Sequence, residues 1–143
     1  ARAQPERVAG LVTIAAAPDF TEDSMWAGFD AEQRAALENE GVVHLPSDYG
    51  APYPITKNLI EDGRAHLVLR TPLHLPFPVR FLQGTADMDV DREVALRLLD
   101  HATGPDMRLT LVDGADHRFS DPDCLALIGE SVEAVIARTG QGA

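Results

Sequence analysis

Phe81-Leu-Gln-Gly-Thr-Ala-Asp-Met-Asp-Val90 is an apolar run that stops at Gly84, with a carboxylate, Asp87, three residues on and Val90 three further. Its first half belongs to Val79–Gly84 (VRFLQG), which reads as a buried strand, and two other stretches share its texture: Val8–Ala17 (VAGLVTIAAA) and Leu109–Gly114 (LTLVDG). Each is short, rich in Val, Ile and Leu, and ends in small or turn-forming residues, as buried strands do. Between the second and third lies a helical pattern. Asp91–Thr103 sets Ala95, Leu98, Leu99 and Ala102 on one face, with acidic residues first and Gly104 at the end. A last helix starts near Asp121-Pro122 and runs to Gly140, its stripe carried by Cys124, Ile128, Val132 and Val135. Strand, helix, strand, helix at this spacing is the pattern of a parallel α/β sheet. Three strands make a thin sheet, so one apolar edge is expected to need a partner.

The first and second strands are separated by about 55 residues, far more than a crossover requires. Residues 19–75 are therefore expected to form a lid or cap-like insertion. Within it the pattern predicts a helix over Asp30–Glu40, a possible strand at Gly41–Pro46, a Pro- and Tyr-rich turn region over Ser47–Pro54 and a second helix over Thr56–Leu69. At the other extreme, Ala1–Glu6 reads as the last turn of a helix.

Chemistry points to the ends of two strands. A carboxylate at the carboxyl end of a parallel strand sits where α/β folds gather ligands and catalytic groups. Asp87 holds that position after the second strand. His117 follows the third, in Leu111-Val-Asp-Gly-Ala-Asp-His-Arg-Phe-Ser120, thirty residues later with one helix and one strand between. The two should meet at one rim of the sheet. Asp89 is the rival acid, two residues along the same loop, and Asp91 is better read as the cap of the following helix.

Gly84-Thr-Ala-Asp87-x-x-Val90 and Gly114-Ala-Asp-His117 together resemble the acid and histidine loops of the α/β-hydrolase family, and the order Asp before His is that of these enzymes. The similarity runs from about Glu6 to Arg138. Ala15-Ala-Ala-Pro-Asp-Phe-Thr, Pro46-Ser-Asp-Tyr49 and Asp116-His-Arg-Phe-Ser120 look like a narrower group, bacterial α/β-hydrolases similar to the mitochondrial palmitoyl-protein thioesterase that also cleaves acyl glucuronides. Asp91 departs from the pattern, since members often have proline there.

The resemblance implies an α/β-hydrolase fold, represented by its C-terminal half only: about three parallel strands, flanking helices and the lid-like insertion. It implies His117 as general base and Asp87 as the acid that orients it, in a serine hydrolase of carboxylic esters or thioesters. The family's serine sits in G-x-S-x-G, upstream of both. Ser24, Ser47, Ser120 and Ser131 lie in no such motif; Gly129-Glu-Ser131 falls within the last helix and after the histidine. The nucleophile and oxyanion hole are thus expected on a preceding segment, whose helix would end at Ala1–Arg7, and the 143 residues alone are expected to be inactive.

Other constellations are weaker. Cys124 lies on an apolar helical stripe and reads as core. Asp87, Asp89 and Asp91 alternate as in a calcium loop, but Arg92 and Leu98 stand where an EF-hand needs Gly and Glu. His44, His66, His74 and His101 show no metal-ligand spacing, so no metal and no cofactor are expected. Met25, Trp26 and Phe29 form an apolar cluster; in a lid, Met25 and Trp26, with Val90 from the acid loop, are candidates for contacting an acyl group.

With 12 basic against 23 acidic residues the formal charge is −11, which repels nucleic acid and anionic membranes. No apolar run reaches membrane-span length and no signal peptide is visible, so the cytoplasm is the expected compartment. The resemblance to α/β-hydrolases implies a small-molecule ester or thioester as the partner. A single cysteine excludes an internal disulfide. The sheet edge is expected to be covered by the N-terminal half or by self-association. The alternative reading is a non-catalytic binding module that kept hydrolase architecture without a nucleophile.

Overall fold

The computed structural model describes residues 1–46 and 50–139. In chain order these form β1 (Leu11–Ile14), α1 (Ala31–Glu40), β2 (Val42–Leu45), β3 (Tyr53–Thr56), α2 (Lys57–Ala65), β4 (Leu73–His74), β5 (Val79–Gly84), α3 (Arg92–His101), β6 (Ala102–Thr103), β7 (Met107–Val112) and α4 (Pro122–Thr139). They divide into two compact units, one made of Ala1–Pro18 with Val68–Ala143, the other of Asp19–Leu67.

The larger unit is built on a parallel sheet in the order β1-β5-β7. All six residues of β5 are buried, as in a parallel strand covered on both faces. Side chains alternate. Val79 and Phe81 enter one core with Leu69, Leu73, Leu75, Phe77, Leu98 and Ala102, while Leu82 enters another with Ala115, Phe119 and Cys124. The first core is closed by α3 and the second by α4, whose Leu127 and Ile128 pack against it. Asp91 caps α3 by accepting from the Glu93 N–H, and Asp121 caps α4 by accepting from Asp123 and Cys124.

Arg80 is a buried charge in the central strand. Its guanidinium donates to Asp106 Oδ2 at 3.0 Å and to the Val79 carbonyl at 2.7 Å. Hydrogen bonding from Arg80, reinforced by the charges of Arg80, Arg138 and Arg108, holds Asp106 below the usual carboxylate range despite the opposing effect of burial.

The smaller unit has its own core of Phe29, Leu37, Val43, Ile55 and Ile60. Asp30 and Gln33 form a reciprocal capping box that starts α1, which ends at Gly41 with φ 78°, a left-handed cap that glycine adopts without strain. Thr56 caps α2 through the Leu59 N–H.

Several boundaries differ from the sequence pattern. Tyr53 and Pro54, expected in the turn region, form with Ile55 and with Thr56, the expected start of the second helix, a strand antiparallel to β2 with Ile55 opposite Val43. Pro54 is tolerated because this is a two-stranded ribbon in which each strand is an edge. Helix α2 stops at Ala65 rather than Leu69, whose side chain belongs to the larger unit's core. Ala102 and Thr103, expected to end α3, instead pair in parallel with Leu73 and His74. A single π-helical turn at Thr21–Trp26 carries no periodicity that sequence inspection detects. Ala1–Glu6 is not a helical turn: Gln4 has φ −146°, and only a 3-10 turn, Pro5–Arg7, follows. Proline lacks the N–H a continuing helix needs and pushes the preceding residue out of the helical region. Residues 47–49 of the Pro46-Ser-Asp-Tyr49 motif and of the turn region, and Gly140, the expected end of the last helix, lie outside the described residues.

The Arg80–Asp106 pair makes a stability prediction. Replacing Asp106 by Asn leaves a guanidinium buried without its counter-charge, a change that costs about 3 kcal/mol in comparable pairs. Urea unfolding should show that loss, and a variant within about 0.5 kcal/mol of wild type would contradict it.

Candidate active site

The acid loop and the histidine loop leave adjacent strands. Gly84 pairs with Val112 at the carboxyl ends of β5 and β7, so residues 85–90 and 113–119 rise from the same rim. Backbone hydrogen bonds then tie the loops together: Thr85 N–H to the Val112 carbonyl at 2.9 Å and Ala86 N–H to the Ala115 carbonyl at 3.0 Å. A Cβ on residue 84 would overlap that same Ala115 carbonyl, so glycine is required by close approach. The Thr85 hydroxyl donates to Asp113 Oδ1 at 3.1 Å and accepts from the Gly114 N–H at 2.9 Å.

Each loop also holds its own shape with an aspartate. Asp87 Oδ1 accepts from the N–H groups of Asp89 and Val90, both at 2.9 Å, and Asp116 Oδ1 accepts from Arg118 and Phe119 at 3.0 and 3.2 Å. Phe119 has a left-handed φ of 51°, and its buried ring anchors the histidine loop in the core closed by α4.

The result is a contact between the two sequence candidates. His117 Nδ1 lies 3.0 Å from Asp87 Oδ2. Burial pushes the Asp87 carboxyl up, but hydrogen bonds from Val90 N–H, His117, Asp89 N–H and the Gln83 amide outweigh it and hold the group below the usual carboxylate range. Ionised, Asp87 can only accept, so the shared hydrogen sits on His117 Nδ1. Among the described residues His117 Nε2 has no hydrogen-bond partner, and the side chain is 45% exposed while that of Asp87 is 1% exposed. The pair thus offers a basic nitrogen to solvent, backed by a sequestered anion.

One oxygen each of Asp87 and Asp89 and a ring nitrogen of His117 lie within 4.8 Å of one another, a set that could hold a cation. Both Asp87 oxygens already accept two hydrogen bonds each, and a cation would have to displace them. The arrangement fits an acid–base pair better.

Val90 stands in the acid loop, its N–H on Asp87 and its carbonyl accepting from Gln83 Nε2 at 3.0 Å. Met25 and Trp26 lie in the smaller unit and pack against its core; Arg34 and Arg64 approach the Trp26 ring at 5.2 and 4.6 Å. Ser24 and Ser120 are exposed, and Ser131 is buried in α4. Cys124 is buried, and a hydrogen bond to Asp121, with burial, pushes its thiol up to about 11, which removes it as a nucleophile at neutral pH. Gln83 and Thr85 were not legible as site residues. The one signal was Gln83, a polar side chain close to the end of a buried strand that also carries Arg80.

A parallel sheet with helices on both faces, an acid after its middle strand and a histidine after the next, is part of the α/β-hydrolase fold. The chain is similar to Palmitoyl-protein thioesterase ABHD10, mitochondrial, of Rattus norvegicus, at 29% identity over 136 residues, 94% of this chain and 46% of that protein. Among solved structures it is similar to a protein from Agrobacterium vitis S4 described as a hydrolase, with 39% identity and a TM-score of 0.85 over 90% of this chain and 50% of that one. Mouse alpha/beta hydrolase domain-containing protein 10 superposes with a TM-score of 0.81 at 28% identity, covering 94% of this chain and 54% of that one. The chain spans about half the length of the curated relatives it matches. No protein-family model matches it.

Two predictions follow from the geometry. Gly84→Ala should force the loops apart, lowering stability by about 1–3 kcal/mol and separating Asp87 from His117; an unchanged melting temperature would refute the close approach. Because its folded-state pKa is depressed, Asp87 contributes stability that is present above the usual carboxylate range and is lost as pH falls through the lower, folded-state value. Asp87→Asn should therefore unfold more easily than wild type at pH 7, with the two denaturation curves converging as pH falls through the folded-state value of Asp87.

Proposed function

We propose that this chain supplies the base and acid of a serine hydrolase of carboxylic esters or thioesters, working through an acyl-enzyme. The observation that carries the proposal is the 3.0 Å contact between His117 Nδ1 and buried Asp87, with Nε2 free to meet a substrate group. The similarity to a protein named as a palmitoyl-protein thioesterase supports the substrate class.

In this reading His117 Nε2 removes the proton of a serine hydroxyl as its oxygen attacks the acyl carbon. The C–O bond forms and the carbonyl electrons move onto oxygen. Collapse of that oxyanion expels the alcohol or thiol, which takes the proton from Nε2. Water then enters by the same route, and His117 again carries the proton while the acid leaves and the serine is restored. Asp87 remains ionised throughout, holding Nδ1–H and stabilising the transient imidazolium. No cofactor enters.

The serine and the oxyanion donors are assigned to polypeptide outside these 143 residues, where the family's G-x-S-x-G turn would precede them, making this the C-terminal portion of the hydrolase. Residues 19–75 are assigned as the lid-like insertion, and Met25, Trp26 and Val90 are each retained as candidates for contact with an acyl group. The absence of any cysteine pair fits a reducing, cytoplasmic compartment. No helix among the described residues is long and apolar enough to cross a membrane.

The test is activity-based labelling of the gene product carrying this chain with a fluorophosphonate, alongside hydrolysis of acyl esters and thioesters. Labelling at a serine upstream of residue 1 is expected, and Asp87→Asn or His117→Ala should reduce hydrolysis about 10⁴-fold. Undiminished labelling and turnover in both variants would favour the non-catalytic reading of the dyad.

A further inference from the structure

Gln83 is the anomaly of the central strand. It is 0% exposed, and its Oε1 has no hydrogen-bond partner among the described residues. A buried amide with half of its polar capacity unused is an unfavourable element in a strand buried along its whole length. Its other half is fully engaged. Nε2 lies 3.0 Å from Asp87 Oδ2, 3.0 Å from the Val90 carbonyl and 3.2 Å from the Gly84 carbonyl. All three are acceptors, so the amide cannot be turned around: Oε1 in that place would face oxygens only.

We infer that Gln83 is the positioning residue of the Asp87–His117 pair, its amide fixing the plane of the Asp87 carboxylate and through it the tautomer of His117. Asp87 Oδ1 is held by two backbone N–H groups of its own loop, which restrain turning about the Cβ–Cγ bond from one oxygen only, while among the described residues Oδ2 has Gln83 and His117 as its donors. Turning moves Oδ2, the atom His117 needs. One N–H of Gln83 fastens Oδ2, and the other fastens the Val90 carbonyl at the far end of the same loop. Both anchor to the most buried strand of the molecule. Because the amide is neutral, it restrains the anion without competing with the histidine as a counter-charge. A lysine or arginine there would neutralise Asp87 and weaken its hold on Nδ1–H. As a claim about catalysis this rests on the proposed function; the geometric claim stands without it.

The experiment reads the His117 tautomer by NMR in the gene product carrying this chain, isotopically labelled at the histidine and glutamine nitrogens, with the His117 signal assigned by its loss in His117→Gln. In wild type the Nδ1–H form should dominate, and the two Gln83 amide protons should exchange with solvent far more slowly than those of Gln4 and Gln33. In Gln83→Met, which keeps length and removes the donors, the population should move to the Nε2–H form, and turnover should fall about 10²-fold, as expected for a misplaced catalytic pair. Gln83→Leu provides the same comparison if the Met variant fails to fold. Retention of the Nδ1–H form in a folded variant overturns the inference, as do wild-type Gln83 protons that exchange like those of the other glutamines. A tautomer shift in a protein whose turnover ignores His117→Ala would leave Gln83 in its positioning role and reject the hydrolase reading instead.

Discussion

The hydrogen bond from Ala86 N–H to the Ala115 carbonyl exists because residue 84 has no Cβ. That contact brings the loop after β5 against the loop after β7. Every feature of the candidate site hangs on it: Thr85 can reach Asp113 and Gly114, and Asp87 can reach His117, only when the two loops lie this close. Parallel strands in register deliver both loops to one rim, but register alone leaves their separation undetermined. The close approach of backbone to backbone settles it.

Strand β5 carries an unusual polar group near each end. At its start Arg80 is buried with Asp106, and at its close Gln83 is buried with Asp87. The two differ in kind. The Arg80–Asp106 pair satisfies its charges locally, and such pairs in a core are close to neutral in net stability against an apolar replacement. Gln83 leaves an acceptor unsatisfied, a defect that ordinarily costs about 1–3 kcal/mol. Departures from local consistency of this sort concentrate at functional sites, and this one abuts the acid that hydrogen-bonds His117.

What could be seen in the sequence was whatever local chemistry specifies. VRFLQG announced a doubly buried strand, and the structure has β5 over those six residues. Asp91 and Asp121, ahead of apolar stripes, marked helix starts because caps act within one turn of chain. Tyr53–Thr56 was not legible, since a proline in a short polar segment argues against a strand until a partner such as Val42–Leu45 is known. The two-residue pairing of Leu73–His74 with Ala102–Thr103 was hidden for the same reason: its hydrogen bonds lie some thirty positions apart in the chain. The halt of α2 at Ala65 and the departure of Leu69 into another core reflect competition between hydrophobic clusters, which periodicity along one segment does not register.

By itself the sequence determined that a carboxylate and an imidazole would follow neighbouring strands, because strand periodicity and turn residues are written locally and place Asp87 and His117 just beyond two strand ends. It also determined that the chain would carry strong negative charge and no disulfide. Only the tertiary structure decided which aspartate meets His117, since Asp87 and Asp89 differ by two residues in the chain, yet one is buried against the histidine and the other is exposed. It alone brought in Gln83 and Thr85, whose roles depend on hydrogen bonds across the sheet rim. Such bonds are directional and reach about 3 Å, and no pattern of residue types along a chain specifies which atoms will come that close.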